Sequence, residues 1–294
     1  MGSSDAIFVV GAGRVGAALA TALARAGATV VGVWSRSEAG ASRAGALAGV
    51  PAHHGALPVA ISEATVVLVP VPDRVLSAVS GALLEGGLLR NARAVLHCAG
   101  GIPAAEALAP LRSAVPVGTF HPLVAIADPV RGAAWLSRCQ VALEGDAEAR
   151  AAGRDLAAVL GARAIELAAE ALPLYHAAAV LASNHTVALV AAAAEVLAAA
   201  GVPAPVEALR PLLRSTVENL EALELADALT GPVRRGDVST VERHLRVLAD
   251  RAPGWVEIYR AGTIAAVRLA RQLSQADPAV LDAMERLVVG PRRG

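Results

Sequence analysis

The chain has 294 residues and a formal net charge of zero, with 26 basic side chains against 26 acidic ones. That balance leaves no charge-built nucleic-acid footprint, and every basic residue is arginine, which excludes a Walker-type phosphate lysine, a Schiff-base lysine and a lysine general acid. Hydrophobic residues make up 55% and aromatics only 2%, so cores of Ala, Val and Leu are expected, and the length suffices for two domains.

In chain order, "AIFVVGAGRVGAALATALARAG" reads as a strand over Ala6–Val10, a glycine turn and a helix closing at Gly27. No signal peptide is expected at the start. A second strand lies in "ATVVGVWSRS", and short apolar runs follow at Thr65–Pro72, Ala92–Gly100 and Ala114–Phe120. "RCQVALEG" and "ARAIEL" add two more, around a helix over Asp146–Leu160. Continuous β-branched runs between helical stretches indicate a mainly parallel sheet covered on both faces. From Pro173 onward the pattern is long Ala/Leu helices, broken at Gly201–Pro203, Thr230–Pro232, Ala252–Gly254 and Asp277-Pro278. The boundary falls near residue 168. The apolar stretch Ala177–Gly201 could span a membrane on length alone. Ser183, Asn184, His185 and Glu195 interrupt it, so a helix buried in a domain or dimer core is expected instead, with no membrane partner.

"GAGRVG" places Gly11, Gly13 and Gly16 in GxGxxG spacing, with Ala12, Arg14 and Val15 between them. The first glycine permits the turn, the second lets the backbone approach a pyrophosphate, and the third lets helix and strand pack. The helix amino terminus then offers N–H groups to phosphate. A glycine turn without a ligand is the bland alternative, but the strand before and the helix after favour a dinucleotide. At the end of the second strand, where NAD sites carry an acid, stand Ser35, Arg36 and Ser37. Arg36 can pair with a 2′-phosphate, so NADP(H) is the expected cofactor; the alternative is a solvated arginine paired to Glu38.

Ligands of open parallel sheets bind beyond the carboxyl ends of the strands. Val71 and Pro72, His97 and Ala99, and His121 fall at such ends. Farther on, Tyr175, His176, Ser183, Asn184 and His185 interrupt an apolar helix that starts at Leu172. If that helix is continuous, His176, Val180 and Ser183 share a stripe, while Asn184 sits about 80° round from His176 and roughly 12 Å along. Such polar groups either pair across a dimer or face a substrate. "LTGPVRRGD" sets Arg235 and Asp237 in a turn stiffened by Pro232, giving either a fixed cation for an acid substrate or a helix cap. The two cysteines, Cys98 and Cys139, make no metal-spaced pair or disulfide framework, so no metal site and a cytoplasmic location are expected.

Taken together, "GAGRVG", "HCAGG", "FHPL", "LYHAAAVLASN" and "LTGPVRRGD" resemble a bacterial family that joins a Rossmann-like domain to a helical domain catalogued as DUF2520. The resemblance implies an α/β, doubly wound, mainly parallel Rossmann-like domain over 1–168 and an all-α substrate and dimerisation domain over 169–294. That architecture is similar to pyrroline-5-carboxylate reductases, ketopantoate reductases and β-hydroxyacid dehydrogenases. It implies an NADP-dependent reductase of a small 2-keto acid, with 2-dehydropantoate as the specific candidate. An imine reductase and a dinucleotide-binding regulator without turnover are the alternatives. His121, His176, Ser183 and Asn184 become the catalytic candidates, and Tyr175, Arg235 and Asp237 the substrate ligands. The cofactor falls to the glycine turn, Ser35, Arg36, Val71, Pro72, His97 and Ala99. Two departures from the family pattern bear on the chemistry: Leu172 where relatives carry a basic residue, and Ala99 where they carry a hydroxyl.

Overall fold

The computed structural model describes residues 5–273 and 275–289, which form two compact units dividing between Leu181 and Ala182. The first unit carries eight strands: β1 (Ala6–Val10), β2 (Thr29–Ser35), β3 (Ala52–His54), β4 (Val66–Val69), β5 (Ala94–His97), β6 (Val117–Pro122), β7 (Gln140–Gly145) and β8 (Arg163–Glu166). Their order is β3-β2-β1-β4-β5-β6-β7-β8, parallel throughout except for the antiparallel pair β6 and β7. Seven of the eight correspond to runs read from sequence; β3 does not.

Alternation on the strands builds two cores. Ile7, Val9, Leu68 and Leu96 join one buried cluster, while Phe8, Val10, Val67, Val69 and Val95 join the other. Successive strand residues point to opposite faces, so both faces of the sheet are covered, as apolar runs without polar alternation require. The helices between them are α1 (Arg14–Arg25), α2 (Glu38–Ala48), α3 (Leu76–Glu85), α4 (Ala104–Ala107), α5 (Pro129–Trp135), α6 (Ala147–Leu160) and α7 (Leu172–Ala182). Local chemistry sets several ends. Ser37 caps α2 by accepting from the Gly40 N–H, and Asp128 caps α5 just before Pro129. Gly161 closes α6 at φ +74°.

The second unit holds α8 (Asn184–Ala199), α9 (Pro205–Ala222), α10 (Leu225–Ala228), α11 (Val238–Arg251), α12 (Val256–Ala270) and α13 (Pro278–Val289), with no strand among its described residues. Val241, Leu245, Val267, Leu281 and Met284 form its core. Trp255 Nε1 donates to Glu195 Oε2 at 3.0 Å, tying the start of α12 to α8.

Two expectations change. The compact units divide at Leu181, not at 168, because α7 is anchored to the sheet unit through fully buried Leu172 and the Tyr175 and His176 rings. The helix read as continuous past Leu172 is interrupted at Ser183, where φ is −114° and ψ −72°. Residues Ala169–Ala199 are long and apolar enough to cross a membrane by length and composition.

Candidate active site

The glycine turn is built as its spacing implies, and each glycine serves a distinct need. Gly11 has φ +133°, a conformation that a side chain rarely adopts, and a Cβ there would lie 2.8 Å from Val71 Cγ1. A Cβ on Gly16 would lie 1.8 Å from the Gly11 carbonyl oxygen, so this glycine is the close helix–strand contact. Gly13 is exposed, and nothing lies within 4 Å of its Cβ position. It opens α1, whose first turn has no side-chain cap and no acid. A cradle of N–H groups that any side chain at position 13 would obstruct fits a pyrophosphate. Ala12 and Val15 are half-buried beneath the turn and Arg14 is exposed beside it.

At the end of β2, Arg36 is exposed and makes no ion pair among the described residues, so the pairing with Glu38 weighed from sequence is not formed. Ser37 is spent as acceptor on the α2 cap, although its hydroxyl proton remains available. Val71 is half-buried and Pro72 exposed after β4. These residues fit a dinucleotide bearing a 2′-phosphate.

His97 is fully buried, and both its ring nitrogens are used. The Ala99 N–H donates to Nδ1 at 3.1 Å, so Nδ1 must be an acceptor. Burial, with His121 nearby, pushes the pKa of His97 down to about 4, so the ring is neutral and Nε2 carries its one proton. Nε2 therefore donates to Thr119 Oγ1 at 3.0 Å, and Thr119 donates on to Glu144 Oε2, also at 3.0 Å. Glu144 Oε2 accepts a second bond from the Ala104 N–H at 2.8 Å. As a cofactor contact the His97 ring is thus corrected: no part of it is exposed. Instead it locks the segment that follows β5. Thr119 and Glu144 were not singled out from sequence; the one signal was a carboxylate inside the apolar strand "VALEG".

That segment leads to Gly100, where two imidazoles meet. A Cβ on Gly100 would lie 2.6 Å from His176 Nδ1 and 2.7 Å from His121 Nε2. The His121 and His176 rings stand edge to face with centroids 5.7 Å apart. His121 Nδ1 bonds the Tyr175 hydroxyl at 3.0 Å, while His176 Nδ1 is buried without a hydrogen-bond partner among the described residues. Burial, reinforced by His176, pushes His121 down to about 4, and burial pushes the Tyr175 phenol up to about 12. At neutral pH both are uncharged. The cluster can therefore exchange hydrogen bonds and a proton through Tyr175 and His121 without holding a fixed charge. Ala99 is buried beside it, and burial holds the Cys98 thiol up at about 12, in its unreactive form.

In the second unit, Asp237 is the cap of α11. Its carboxylate accepts from the Thr240 N–H and from the Ser239 and Thr240 hydroxyls. This commitment corrects Asp237 as a substrate ligand. Its neighbour Arg234 is also structural, donating to the Asp227 and Leu229 carbonyls and to Gln275 Oε1. Arg235 is the exposed member of the pair, without an ion pair among the described residues. Ser183 donates to Asn184 Oδ1 at 2.9 Å at the start of α8, and Asn184 is exposed.

Comparison with known proteins shows what the chain is similar to. Residues 4–122 match the Rossmann-like domain family, and residues 139–265 match the domain of unknown function DUF2520. A "putative NADP oxidoreductase" from Bacteroides fragilis is 26% identical, with a TM-score of 0.70 over 90% of this chain and 98% of that one. Protein TM1727 from Thermotoga maritima is 22% identical, also with a TM-score of 0.70, over 91% of this chain and 99% of that one. Plasmodium falciparum pyrroline carboxylate reductase, solved with NADP bound, shares the fold at 10% identity and a TM-score of 0.61, over 97% and 99%. No curated protein matches the chain significantly.

Proposed function

We propose that this chain, which belongs to the proteins joining a Rossmann-like domain to a DUF2520 domain, is an NADP(H)-dependent reductase of the pyrroline-5-carboxylate and imine reductase type. The observation that carries the reading is the convergence of His121 and His176 on Gly100, with Tyr175 bonded to His121, at the strand ends where the glycine cradle also lies. When bound, NADP(H) supplies the hydride. The Gly11–Gly16 turn holds the pyrophosphate and Arg36 the 2′-phosphate. His121, paired with Tyr175, holds the proton that the reduced centre requires, and His176 Nδ1 offers the substrate a polar partner.

For the substrate we propose a small 2-keto acid, 2-dehydropantoate first among them, with a cyclic imine as the alternative and Arg235 as the cation for its carboxylate. Ser183 and Asn184 are proposed as further polar groups for the same substrate. One observation favours the imine reading. With His121 near 4 and Tyr175 near 12, neither of these two is a charged acid for a carbonyl oxygen, whereas an iminium already carries its proton. NADPH consumption across a panel of 2-keto acids and cyclic imino acids tests both. Turnover of either class supports the reductase; tight NADPH binding with no turnover on any member would make the chain a dinucleotide-binding regulator instead.

We further propose a cytoplasmic homodimer formed through the helical half. Val187 and Leu212, 71% and 62% exposed on α8 and α9, are the apolar side chains proposed to be covered in that dimer. A monomer by light scattering at micromolar concentration would remove that part.

A further inference from the structure

The strand missed from sequence, β3, ends beside Arg36. Ser35 pairs in register with His54, and Trp34 with His53. His53 turns to the Phe8 face, with ring centroids 5.7 Å apart. Ala52 faces α2, since its Cβ lies 2.7 Å from a Cβ built on Gly45. Side chains alternate along a strand, so His54 shares the α2 face with Ala52. Ser35 lies on that face too: its Oγ is 2.9 Å from a Cβ built on Gly40. Neighbouring strands are about 4.8 Å apart, which sets His54 next to the Ser35 hydroxyl and one residue from Arg36.

Nothing in the fold consumes His54. It is exposed, and it makes no hydrogen bond or ion pair among the described residues. Yet the turn after it is held firmly. The buried Trp34 indole N–H donates to both the Gly55 carbonyl at 3.2 Å and the Ala56 carbonyl at 3.1 Å, and Gly55 sits at φ +78°. An indole that clamps the two residues after an exposed histidine fixes where that histidine stands. Electrostatics supply the need. Arg36 shares its loop with Glu38, exposed in the first turn of α2, so the loop alone brings no net charge to a phosphate carrying about −2.

We propose that His54 is a second ligand of the cofactor's 2′-phosphate, completing a cluster with Arg36 and the Ser35 hydroxyl, and that Trp34 is its positioning residue. This rests on the reading of Arg36 as the 2′-phosphate contact. It explains why a three-residue strand is pinned at the sheet edge with an otherwise idle imidazole at its end.

The test is calorimetric titration of the full chain with 2′,5′-ADP and with 5′-AMP, with no turnover involved. His54→Ala is expected to weaken 2′,5′-ADP by about tenfold or more, the loss of one hydrogen bond to a charged group, and to leave 5′-AMP unchanged. His54→Gln, which keeps an N–H donor, is expected to recover most of the loss. Trp34→Phe, which keeps an aromatic side chain but not the indole N–H, is expected to weaken 2′,5′-ADP and to add little on top of His54→Ala. Melting temperatures of the His54 variants should match the parent, since the side chain bonds nothing. If Arg36→Ala loses 2′,5′-ADP affinity while His54→Ala does not, His54 is no ligand and the Arg36 reading stands. Equal loss of both nucleotides in His54→Ala would also overturn the proposal. If neither Arg36→Ala nor His54→Ala discriminates, the 2′-phosphate reading fails and takes this inference with it.

Discussion

Adding one methyl group at Gly100 probes the proposed site where the two imidazoles meet. The backbone there needs no left-handed conformation, so Gly100→Ala acts through contact alone. Its Cβ would sit 2.6 Å from His176 Nδ1 and 2.7 Å from His121 Nε2, both closer than real Cβ contacts allow. His121 is tethered through Nδ1 to Tyr175, so the ring expected to move is His176, whose Nδ1 has no hydrogen-bond partner among the described residues. Overpacking of this kind costs about 1–3 kcal/mol, while the stiffer unfolded chain returns about 0.4–1 kcal/mol. The net loss expected in urea unfolding is on the order of 1 kcal/mol. Turnover should suffer more, since displacing a reacting group by about 1 Å costs roughly a hundredfold. NADPH affinity, set at the glycine turn, should barely change. A Gly100→Ala protein that unfolds and turns over like the parent would refute the packing of two imidazoles on this residue.

Gly13→Ala replaces the N-cap glycine of α1 and should cost only about 1 kcal/mol of stability, because its Cβ meets nothing, yet abolish tight NADPH binding; Gly16→Ala, with a Cβ 1.8 Å from a carbonyl oxygen, should destabilise the fold itself. Glu144→Leu strands the Thr119 hydroxyl and the Ala104 N–H and should cost about 1–3 kcal/mol for each in urea unfolding, with Glu144→Gln well below that. Arg235→Ala should raise KM more than it lowers kcat, as loss of binding shared by ground and transition states does; an effect on kcat alone would count against a carboxylate anchor. His97 and His121 are neutral in the native protein down to about pH 4, whereas in the unfolded chain they protonate below about 6.5. Stability should therefore be flat above pH 6.5 and fall by a few kcal/mol in total as pH drops toward 4. A urea midpoint unchanged across that window would contradict the burial of these rings.

What sequence could and could not reveal follows physical lines. Strands such as Phe8–Val10 and Val66–Val69 announce themselves because a doubly covered sheet demands unbroken apolar runs. β3 stays hidden because "AHH" is short, polar and set by pairing with β2 and by the Trp34 clamp, neither of which is local. The glycine turn is legible because Gly11 and Gly16 answer steric needs that spacing encodes, with Gly13 left open at the start of α1. His121 and His176 could be nominated, but their meeting at Gly100 depends on α7 docking against the ends of β5 and β6. His97 looked equivalent to His121 from its place at a strand end. Only the partners on its two nitrogens separate a locked structural ring from one facing the site. In the same way, Arg234 and Arg235 are adjacent and chemically identical, and tertiary bonding alone commits one and leaves the other exposed. Asp237 reads from sequence as a substrate ligand with a helix cap as the alternative, and in the structure it caps α11.

A crystal structure of the chain with NADP+ bound tests the central claim most directly, because one map reports on both the cradle and the histidine cluster. The expected result places the pyrophosphate on the Gly11–Gly16 turn, the 2′-phosphate on Arg36 and the nicotinamide ring beside His121 and His176. A nicotinamide lying away from both imidazoles, or a cofactor bound outside the glycine turn, would contradict the assignment of this site as the reductase centre.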